Sequence, residues 1–395
     1  MTETGAFNLL PSRLAELEPV ARIRPTAIEI ARAPGRVNLM GEYTDVNDGF
    51  VLPAAIDLEI RIAFVASGDR RVVLHRLDSG EVGEFDLDET PPRMGDWLDY
   101  AVGTAWALVA AGLTVRGLRG VIATSLPIGA GLSSSAAIEL AVARALLGPS
   151  TAAILPIDLA RICQRAENNY VGVQSGLMDQ FASACGQAGS ALLLDCRSEE
   201  WRLVPMPLDD VRLVVCDTGS ARQLTASAYN LRREQCRAAV ACLAGDDPAI
   251  QSLRDVTPEA VEAAARSGRL EPVLARRARH IVSENRRVLE TGAALEAGDV
   301  DAVGEIFAAS HRSLRDDFEV SSPALDAMID VSIATPGVLA ARMTGAGFGG
   351  CTVNLVRPDA VAALRRTVDG EYVRRTGLRP RVFAVEPADG AGFVG

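Results

Sequence analysis

A turn rich in glycine and serine, LPIGAGLSSSAA, occupies residues 126–137 and precedes an apolar run with helical spacing. Gly129 and Gly131 free the backbone to curl, and the serines that follow begin the predicted helix. The first turn of a helix presents unpaired N–H groups and a positive dipole end, which together bind phosphate. Serine hydroxyls there can also bind a phosphate oxygen or Mg²⁺. The same pattern is typical of an ordinary helix N-cap, so this turn alone supports both interpretations.

A second glycine cluster, GAGFGG, lies at residues 345–350 and matches the spacing of a dinucleotide-binding loop. Such a loop requires a strand before it and a helix after it. Here the following residues, CTVNLV, are β-branched and indicate a strand. We therefore predict a tight glycine turn that approaches another backbone or a ligand, and not an NAD site.

Polar residues that suit a carbohydrate lie in the segment 31–53, which is dense in Gly, Asn, Asp and Pro and which we predict to be a long loop. Its candidate functional residues are Arg36, Glu42, Asp45 and either Asn47 or Asp48. Carboxylates beside amides can form paired hydrogen bonds with neighbouring hydroxyls, as in a sugar. Asp and Asn are also ordinary turn formers, so the composition of the segment does not decide between the two roles.

Two further carboxylates are candidates for chemistry. Asp179 lies between apolar residues in a glycine-flanked segment, GLMDQF, where it could act as a desolvated base or cap a helix that begins near Gln180. Glu167 follows Cys163 by one turn at the edge of a predicted helix, a place where a carboxylate is usually solvated.

The elements that must position these residues are strands and helices in two lobes. We predict strands at 28–32, 58–66, 71–75, 190–195, 211–216, 351–356 and 381–385. We predict helices at 136–147, from 156 onward, and at 224–243, 257–266, 275–297 and 300–314, with a buried helix inside 101–115. The chain becomes mostly helical near residue 205, which predicts an α+β protein with lobes at 1–205 and 206–395.

The absence of lysine excludes several classes of phosphate-handling protein. All 40 basic residues are arginine. A Walker A loop, a protein kinase and a pyridoxal enzyme each need a lysine. If this protein binds nucleotide phosphates, it must do so with backbone amides, hydroxyls, a metal ion and arginine.

Charge and cysteine content predict a cytoplasmic protein with small-molecule partners. The formal net charge is −11 and no basic cluster offsets it, which argues against nucleic-acid or membrane partners. Seven cysteines are scattered singly, as in reduced proteins of the cytoplasm. The N-terminal residues show no signal-peptide pattern, and the least charged stretch, 101–115, is too short to span a bilayer.

The motifs together resemble one family, the GHMP small-molecule kinases, and within it the galactokinase branch. The resemblance is carried by GRVNLMGEYTDVNDGFVLP, LPIGAGLSSSAA and MTGAGFGGCTVNLV, with shorter matches in DWLDYAVG, GLMDQFAS, AYNLRREQC, RARHIVSEN and SHRSLRDDFEVSSPALD. It spans about residues 30–356. It implies a first lobe like ribosomal protein S5 domain 2, a second lobe related to ferredoxin-like folds, and a cleft for ATP and sugar between them.

The resemblance also implies a role for each candidate residue. Asp179 would be the base for the anomeric hydroxyl of the sugar, and Arg36 would keep Asp179 ionised and neutralise charge on the transferring phosphoryl group. Ser135 and Glu167 would hold Mg²⁺. The residues implied to hold the ATP phosphates are Gly129, Ala130, Gly131, Leu132, Ser133, Ser134 and Ser135. Those implied to contact the sugar are Glu42, Tyr43, Asp45, Gly176, Asp179 and Tyr229, with Asp45 bridging neighbouring ring hydroxyls.

The implied activity is transfer of a phosphoryl group from ATP to α-D-galactose, giving galactose 1-phosphate and ADP, by a monomer or weak dimer. Tyr43 departs from the branch, where a histidine that contacts the sugar is common. This departure leaves open a kinase for arabinose, galacturonate or galactosamine. A non-catalytic sugar sensor on the same fold is a further alternative, which the presence of Arg36, Glu167 and Asp179 disfavours.

Overall fold

The structure is a computed structural model that describes residues 3–19, 27–127, 129–149, 154–220, 225–245 and 247–394. Its helices are α1 (Glu3–Asn8), α2 (Leu10–Leu17), α3 (Leu98–Ala110), α4 (Ser134–Leu147), α5 (Pro156–Ala166), α6 (Met178–Cys185), α7 (Thr225–Ala244), α8 (Pro258–Arg266), α9 (Pro272–Ala297), α10 (Val300–Asp316), α11 (Pro323–Ile333), α12 (Val361–Thr367) and α13 (Val373–Thr376). A π-helical turn, Glu167–Val171, directly follows α5.

The strands are β1 (Glu29–Asn38), β2 (Phe50–Val51), β3 (Pro53–Ala66), β4 (Arg71–Arg76), β5 (Val82–Asp86), β6 (Leu118–Thr124), β7 (Ser190–Asp195), β8 (Trp201–Pro205), β9 (Arg212–Asp217), β10 (Val338–Thr344), β11 (Cys351–Val356), β12 (Arg381–Val385) and β13 (Gly392–Phe393).

Each helix and strand predicted from periodicity is present, although residue 224, the predicted start of α7, lies outside the described residues. Helices α5, α8 and α9 each have a proline in their first turn. An N–H group at this position has no partner within the helix, so the N–H that proline lacks costs the helix no hydrogen bond. Sequence analysis missed the strands β2, β5, β6, β8, β10 and β13 and the helices α1, α2, α11, α12 and α13.

The prediction of a long loop through 31–53 is wrong for about half of the segment. Eleven of its 23 residues form β1, β2 and the start of β3, and the loop is the stretch between Asn38 and Phe50. A register shift between Pro34 and Arg36 interrupts the pairing of β1 with β3. A bulge of this kind accommodates proline and glycine inside a strand and redirects the side chain that follows.

Three sheets build the two lobes, which confirms the α+β class. The first lobe has a six-stranded sheet in the order β13-β1-β3-β6-β4-β5 and a small sheet in the order β2-β7-β8. The second lobe has an antiparallel sheet in the order β10-β11-β9-β12. The apolar faces of α4 and α6 pack against the six-stranded sheet, and Leu140 and Phe181 are fully buried there. This packing places the starts of both helices at the cleft between the lobes.

The division of the lobes at residue 205 falls between β8 and β9 and stays a prediction, with one exception. The last described residues were assigned to the second lobe, yet β13 pairs with β1 in the first. Arg32 reinforces this return by donating to the carbonyls of Asp389 and Gly390. Among the described residues, none of the helices has the length and apolar character needed to cross a membrane.

Candidate active site

A cavity of about 420 Å³ lies between the two lobes and collects the predicted site residues. Its walls include Arg36, Asp45 and Asp179 from the first lobe and Tyr229 and Gly345 from the second. Glu42, Tyr43, Ser135, Glu167 and Gly176 complete the predicted set that lines it. Residues predicted from motifs more than 300 positions apart therefore meet at one place.

Asp179 and Arg36 form a bidentate ion pair at the wall of this cavity. Arg36 Nε donates to Asp179 Oδ1 and Arg36 Nη2 donates to Oδ2, each at 2.8 Å. Ser133 Oγ adds a third donor to Oδ2 at 2.6 Å. A carboxylate has about four acceptor positions, so Asp179 keeps capacity for a hydroxyl of a bound ligand. Asp179 lies inside the first turn of α6, which begins at Met178 with Leu177 at the N-cap and no side-chain capping bond, so the alternative prediction that Asp179 caps a helix beginning near Gln180 is wrong.

The glycine–serine turn forms a loop that ends at the start of α4. Gly129, Gly131 and Ser133 all have positive φ, which glycine adopts without strain and which a serine adopts only when its surroundings hold it. Two hydrogen bonds from Arg36 fix the backbone of this loop. Arg36 N donates to Leu132 O, and Arg36 Nη1 donates to Gly131 O. Ser134 and Ser135 open α4 and are partly exposed, as a phosphate-binding helix start requires. Ile128 lies outside the described residues.

A second, more apolar cavity of about 260 Å³ adjoins the loop. Ser134 and Ser135 form its end nearest the loop, and Ile60, Trp97 and Ile122 contribute apolar walls. It shares Tyr100 and Ser135 with the cavity between the lobes. The glycine–serine loop therefore lies between this apolar cavity and the more polar cavity between the lobes.

Asp45 and Gly176 form a second polar wall of the cavity between the lobes. A Cβ atom at Gly176 would lie 2.0 Å from Asp45 Oδ2, so this close approach requires glycine. Burial and, less strongly, the nearby Asp179 carboxylate together raise the pKa of Asp45 to about 6, against the opposing effects of the Val46 N–H, Arg36 and Arg233. Asp45 thus changes charge close to neutral pH.

Tyr43 bridges the lobes beside the cavity. Its hydroxyl donates to Ala346 O at 2.7 Å, and its ring stacks on Tyr229 with centroids 5.0 Å apart. Phe318 packs on the same ring at 4.6 Å. Tyr43 is therefore fixed as a buried wall of the pocket, with its hydroxyl directed to the glycine turn of the second lobe.

Glu42 is held more tightly by the protein than sequence analysis suggested. Its Oε2 accepts from Arg342, and its Oε1 accepts from Gly345 N at 3.1 Å. Burial raises the pKa of Glu42, while the Arg342 guanidinium opposes that rise. Arg342 also donates to Leu39 O at 2.8 Å and pairs with Glu284. Sequence analysis missed Arg342, whose only signal was its place three residues before the glycine cluster.

The glycine cluster itself connects β10 to β11 as a tight turn, which confirms that it is not a dinucleotide loop. Gly345, Gly347, Gly349 and Gly350 all have positive φ. The turn lies at the cavity, where Gly345 and Ala346 are part of the wall.

The donor set around Glu167 fits Mg²⁺ shared with a nucleotide. The Ser135 hydroxyl and the Glu167 carboxylate line the same cavity, and the hydroxyl lies near enough to lower the pKa of Glu167 against the rise that burial causes. No group of three or more His, Cys, Asp or Glu residues suited to a metal occurs in the part of the chain that the structure describes. Mg²⁺ characteristically uses one or two protein oxygens and completes its shell with phosphates and water.

Comparisons with known proteins agree with this arrangement. The chain matches the sequence models of the N-terminal domain of GHMP kinases over residues 99–187 and of their C-terminal domain over 293–374. A mevalonate kinase from Methanococcus jannaschii has the same fold, with a TM-score of 0.66 at 17% identity over 91% of this chain and 98% of that one. The fold and the cleft are those of a GHMP kinase.

The remaining matches specify the branch. Residues 23–65 match the galactokinase galactose-binding signature. A galactokinase from Roseiflexus sp. is 45% identical over 365 residues, covering 92% of this chain and 93% of the relative. A crystal structure of Lactococcus lactis galactokinase complexed with galactose superimposes with a TM-score of 0.89 at 36% identity, covering 96% of this chain and 98% of that chain. The chain belongs to the galactokinase family.

Proposed function

We propose that this protein transfers the γ-phosphoryl group of ATP to the anomeric hydroxyl of α-D-galactose and releases galactose 1-phosphate and ADP. The observation that carries the proposal is the Arg36–Asp179–Ser133 cluster, which joins the phosphate loop to the polar cavity through direct hydrogen bonds. The pair thus lies where the sugar acceptor and the nucleotide donor must meet.

The nucleotide would bind across the phosphate loop. The N–H groups at the start of α4 and the hydroxyls of Ser134 and Ser135 would receive the phosphates. The apolar cavity around Trp97 and Ile60 suits the flat face of a base. This division explains how a chain without lysine can bind ATP.

Ser135 and Glu167 would hold Mg²⁺, which when bound offsets the negative charge of the phosphates. The Arg36 guanidinium supplies a fixed positive charge on the other side of the loop, at 2.8 Å from Gly131 O. Preorganised charges of this kind stabilise the charge that spreads over the phosphoryl oxygens during transfer.

Asp179 would accept the proton of the anomeric hydroxyl while the oxygen of that hydroxyl attacks the γ-phosphorus. One P–O bond forms to the sugar, the bond to the β-phosphate oxygen breaks, and the bond electrons leave with ADP. Asp45 would orient the ring through its other hydroxyls, while Glu42, whose two oxygens bond to Arg342 and to Gly345 N, would fix the wall of the cavity beside it. Positioning supplies most of the rate enhancement in phosphoryl transfer, which matches a site with one base and several fixed hydrogen-bonding groups.

The test is ADP release from Mg²⁺-ATP with a panel of galactose, galactosamine, N-acetylgalactosamine, arabinose, galacturonate and glucose. We expect a clear preference for galactose. A preference for another sugar would keep the mechanism but assign a different substrate, and Tyr43→His would then be the first variant to examine. Ligand-induced stabilisation by galactose without any ADP release would contradict the proposal and favour a sugar sensor.

A further inference from the structure

The carboxylate of Glu167 is oriented by groups that do not belong to the expected metal site. Glu167 begins the π-helical turn Glu167–Val171 and is only 4% exposed. A π-helical turn contains one more residue than an α-helical turn, and this changes the direction of a side chain on the helix. Such turns are often found at functional sites. A buried carboxylate that must bind a cation needs partners that fix its direction while leaving one oxygen accessible.

Two neutral donors bind the same oxygen of Glu167. Ser175 Oγ donates to Oε2, and Gln180 Nε2 donates to Oε2 at 2.9 Å. Neither of these bonds falls on Oε1. Neutral donors orient a carboxylate without removing its charge, whereas an arginine would compete with a metal ion for it.

Gln180 is itself firmly anchored. It lies on α6 directly after Asp179, is fully buried, and donates from the same nitrogen to Glu139 Oε2 at 3.0 Å. Burial and the neighbouring Glu167 charge raise the pKa of Glu139 well above its ordinary range. Gln180 therefore links the buried Glu139 side chain to the Glu167 carboxylate that faces the cavity, and it does so from the helix that carries Asp179.

Ser175 is anchored from the other side by Asn168. Asn168 Oδ1 accepts from Ser175 N at 2.9 Å, and Asn168 Nδ2 donates to Ser175 O at 3.3 Å. The next residue, Gly176, touches Asp45. One short segment thus holds both the expected metal carboxylate and a sugar-facing carboxylate.

We propose that Ser175 and Gln180 are positioning residues that orient the Glu167 carboxylate for nucleotide-bound Mg²⁺, an inference that rests on the proposed function. Partners that orient a ligand in this way commonly change metal affinity or activity by about 10–100-fold when they are removed. Sequence analysis gave neither residue a role, because Ser175 and Gln180 lie 8 and 13 positions from Glu167 and share no pattern with it.

The experiment compares Ser175→Ala and Gln180→Leu with the wild-type protein. Mn²⁺ binding is measured by electron paramagnetic resonance in the presence of a non-hydrolysable ATP analogue, and galactose binding is measured by calorimetry. The dependence of kcat on Mg²⁺ concentration is a separate readout. Ser183→Ala is the matched control, because Ser183 is a buried serine on the same helix whose hydroxyl donates to Pro34 O.

We expect both variants to bind Mn²⁺ about 10-fold or more weakly and to need correspondingly more Mg²⁺, with galactose affinity retained. Ser175→Cys, which keeps a weaker donor, should fall between wild type and Ser175→Ala. Because Gln180→Leu also removes the bond to Glu139, failure of that variant to fold would leave Ser175→Ala to decide.

Unchanged Mn²⁺ affinity in Ser175→Ala would overturn the inference. An equal loss of galactose and Mn²⁺ affinity would also overturn it, because that result indicates general damage to the segment. The proposed function is judged separately by the wild-type protein: if it binds Mn²⁺ with the nucleotide analogue but does not phosphorylate galactose, the function fails. The effect of the variants on metal binding would still be measurable in that case.

Discussion

Two arginine–carboxylate pairs lie at the cleft, one facing the cavity and one beneath it. In the Arg36–Asp179 pair the side chains are 5% and 24% exposed, whereas in the Arg342–Glu42 pair they are 0% and 1% exposed. Both pairs join segments far apart in the chain. The first remains within one lobe, and the second connects the lobes.

The difference in exposure separates a pair that can do chemistry from one that holds the structure. A buried charge must be fully compensated, and Glu42 accordingly bonds with both oxygens while Arg342 also bonds to Leu39 O and Glu284. Asp179 keeps acceptor capacity toward the cavity because part of it remains exposed. Both pairs consist of an arginine and a carboxylate, so residue type alone does not show which pair can do chemistry.

The largest expected effect is on turnover, from Asp179→Asn. The amide keeps the size of the side chain but cannot accept the proton, so kcat should fall by about 10²–10⁴-fold. Thermal stability should fall less than for Arg342→Met, because Asn can still bond with Arg36 or Ser133, although the 5% exposed Arg36 side chain loses its anionic partner. Steady-state kinetics and a melting curve check both parts, and near-normal turnover in the folded variant would remove Asp179 from the mechanism.

For the buried Arg342–Glu42 pair we expect a large effect on stability and a small effect on turnover. Arg342→Met leaves Glu42 and Glu284 buried without their shared cation, so the free energy of unfolding should fall by about 3–5 kcal/mol. Turnover per folded molecule should fall far less than in Asp179→Asn. Chemical denaturation measures the first quantity.

The control for that experiment is Arg161→Met, which breaks a pair with Glu199 whose side chains are 46% and 33% exposed. This change should alter stability by no more than about 1 kcal/mol. Equal losses in the two variants would mean that burial does not distinguish the pairs.

Asp45 should give the cleft a pH dependence near neutrality. Its folded-state pKa of about 6 lies above the ordinary value of 3.8, so the folded protein binds this proton more tightly than the unfolded chain. The ionised group therefore opposes folding above pH 6, and stability from this group increases as pH falls from 6 toward 4. Asp45→Asn should be more stable than wild type at pH 7, with a difference that shrinks below pH 6.

Galactose affinity should change in the opposite direction. Protonated Asp45 accepts fewer hydrogen bonds, so calorimetry should show weaker binding as pH falls through about 6. Asp48→Asn, an exposed carboxylate in the same turn, is the control and should keep the wild-type profile. A profile that is flat between pH 5 and 8 in wild type would show that Asp45 does not bind the sugar in its ionised form.

The smallest expected effect is that of Tyr43→Phe, which tests how much of the connection between the lobes lies outside the buried pair. The variant keeps the stacking on Tyr229 and loses the hydrogen bond to Ala346 O, so the free energy of unfolding should fall by about 1 kcal/mol. Denaturation again measures it. A loss as large as that of Arg342→Met would show that the tyrosine, and not the ion pair, is the main connection.

The predictability of the fold depended on whether an element has a clear apolar pattern. The β-branched core of β3 and the long α9 were recognised because their patterns are strong. β1 was missed beyond its first residues because Pro34 and Gly35 interrupt it at a bulge. Gly35 is needed there, since a Cβ atom would lie 2.5 Å from Leu132 O of the phosphate loop.

Whether a site residue could be predicted also depends on whether it lies in a local sequence pattern. Asp179, Arg36 and the phosphate loop occur in local motifs, so a family resemblance could identify them. Arg342 and Gln180 act through partners that only folding brings close, and a lone arginine in a strand or a glutamine in a helix has no local pattern. The direction of the Glu42 side chain depends equally on a residue 300 positions away.

The pairing of β13 with β1 has a consequence for synthesis of the chain. Arg32 and Gly390, which are hydrogen bonded across this edge, are 358 residues apart. At about 5–20 residues per second, the ribosome makes the later partner on the order of half a minute after the earlier one. During that interval β1 is an open sheet edge, able to pair with strands of neighbouring nascent chains. Because the same strand carries Arg36, shielding of this edge by a chaperone would protect the proposed catalytic centre as well as solubility.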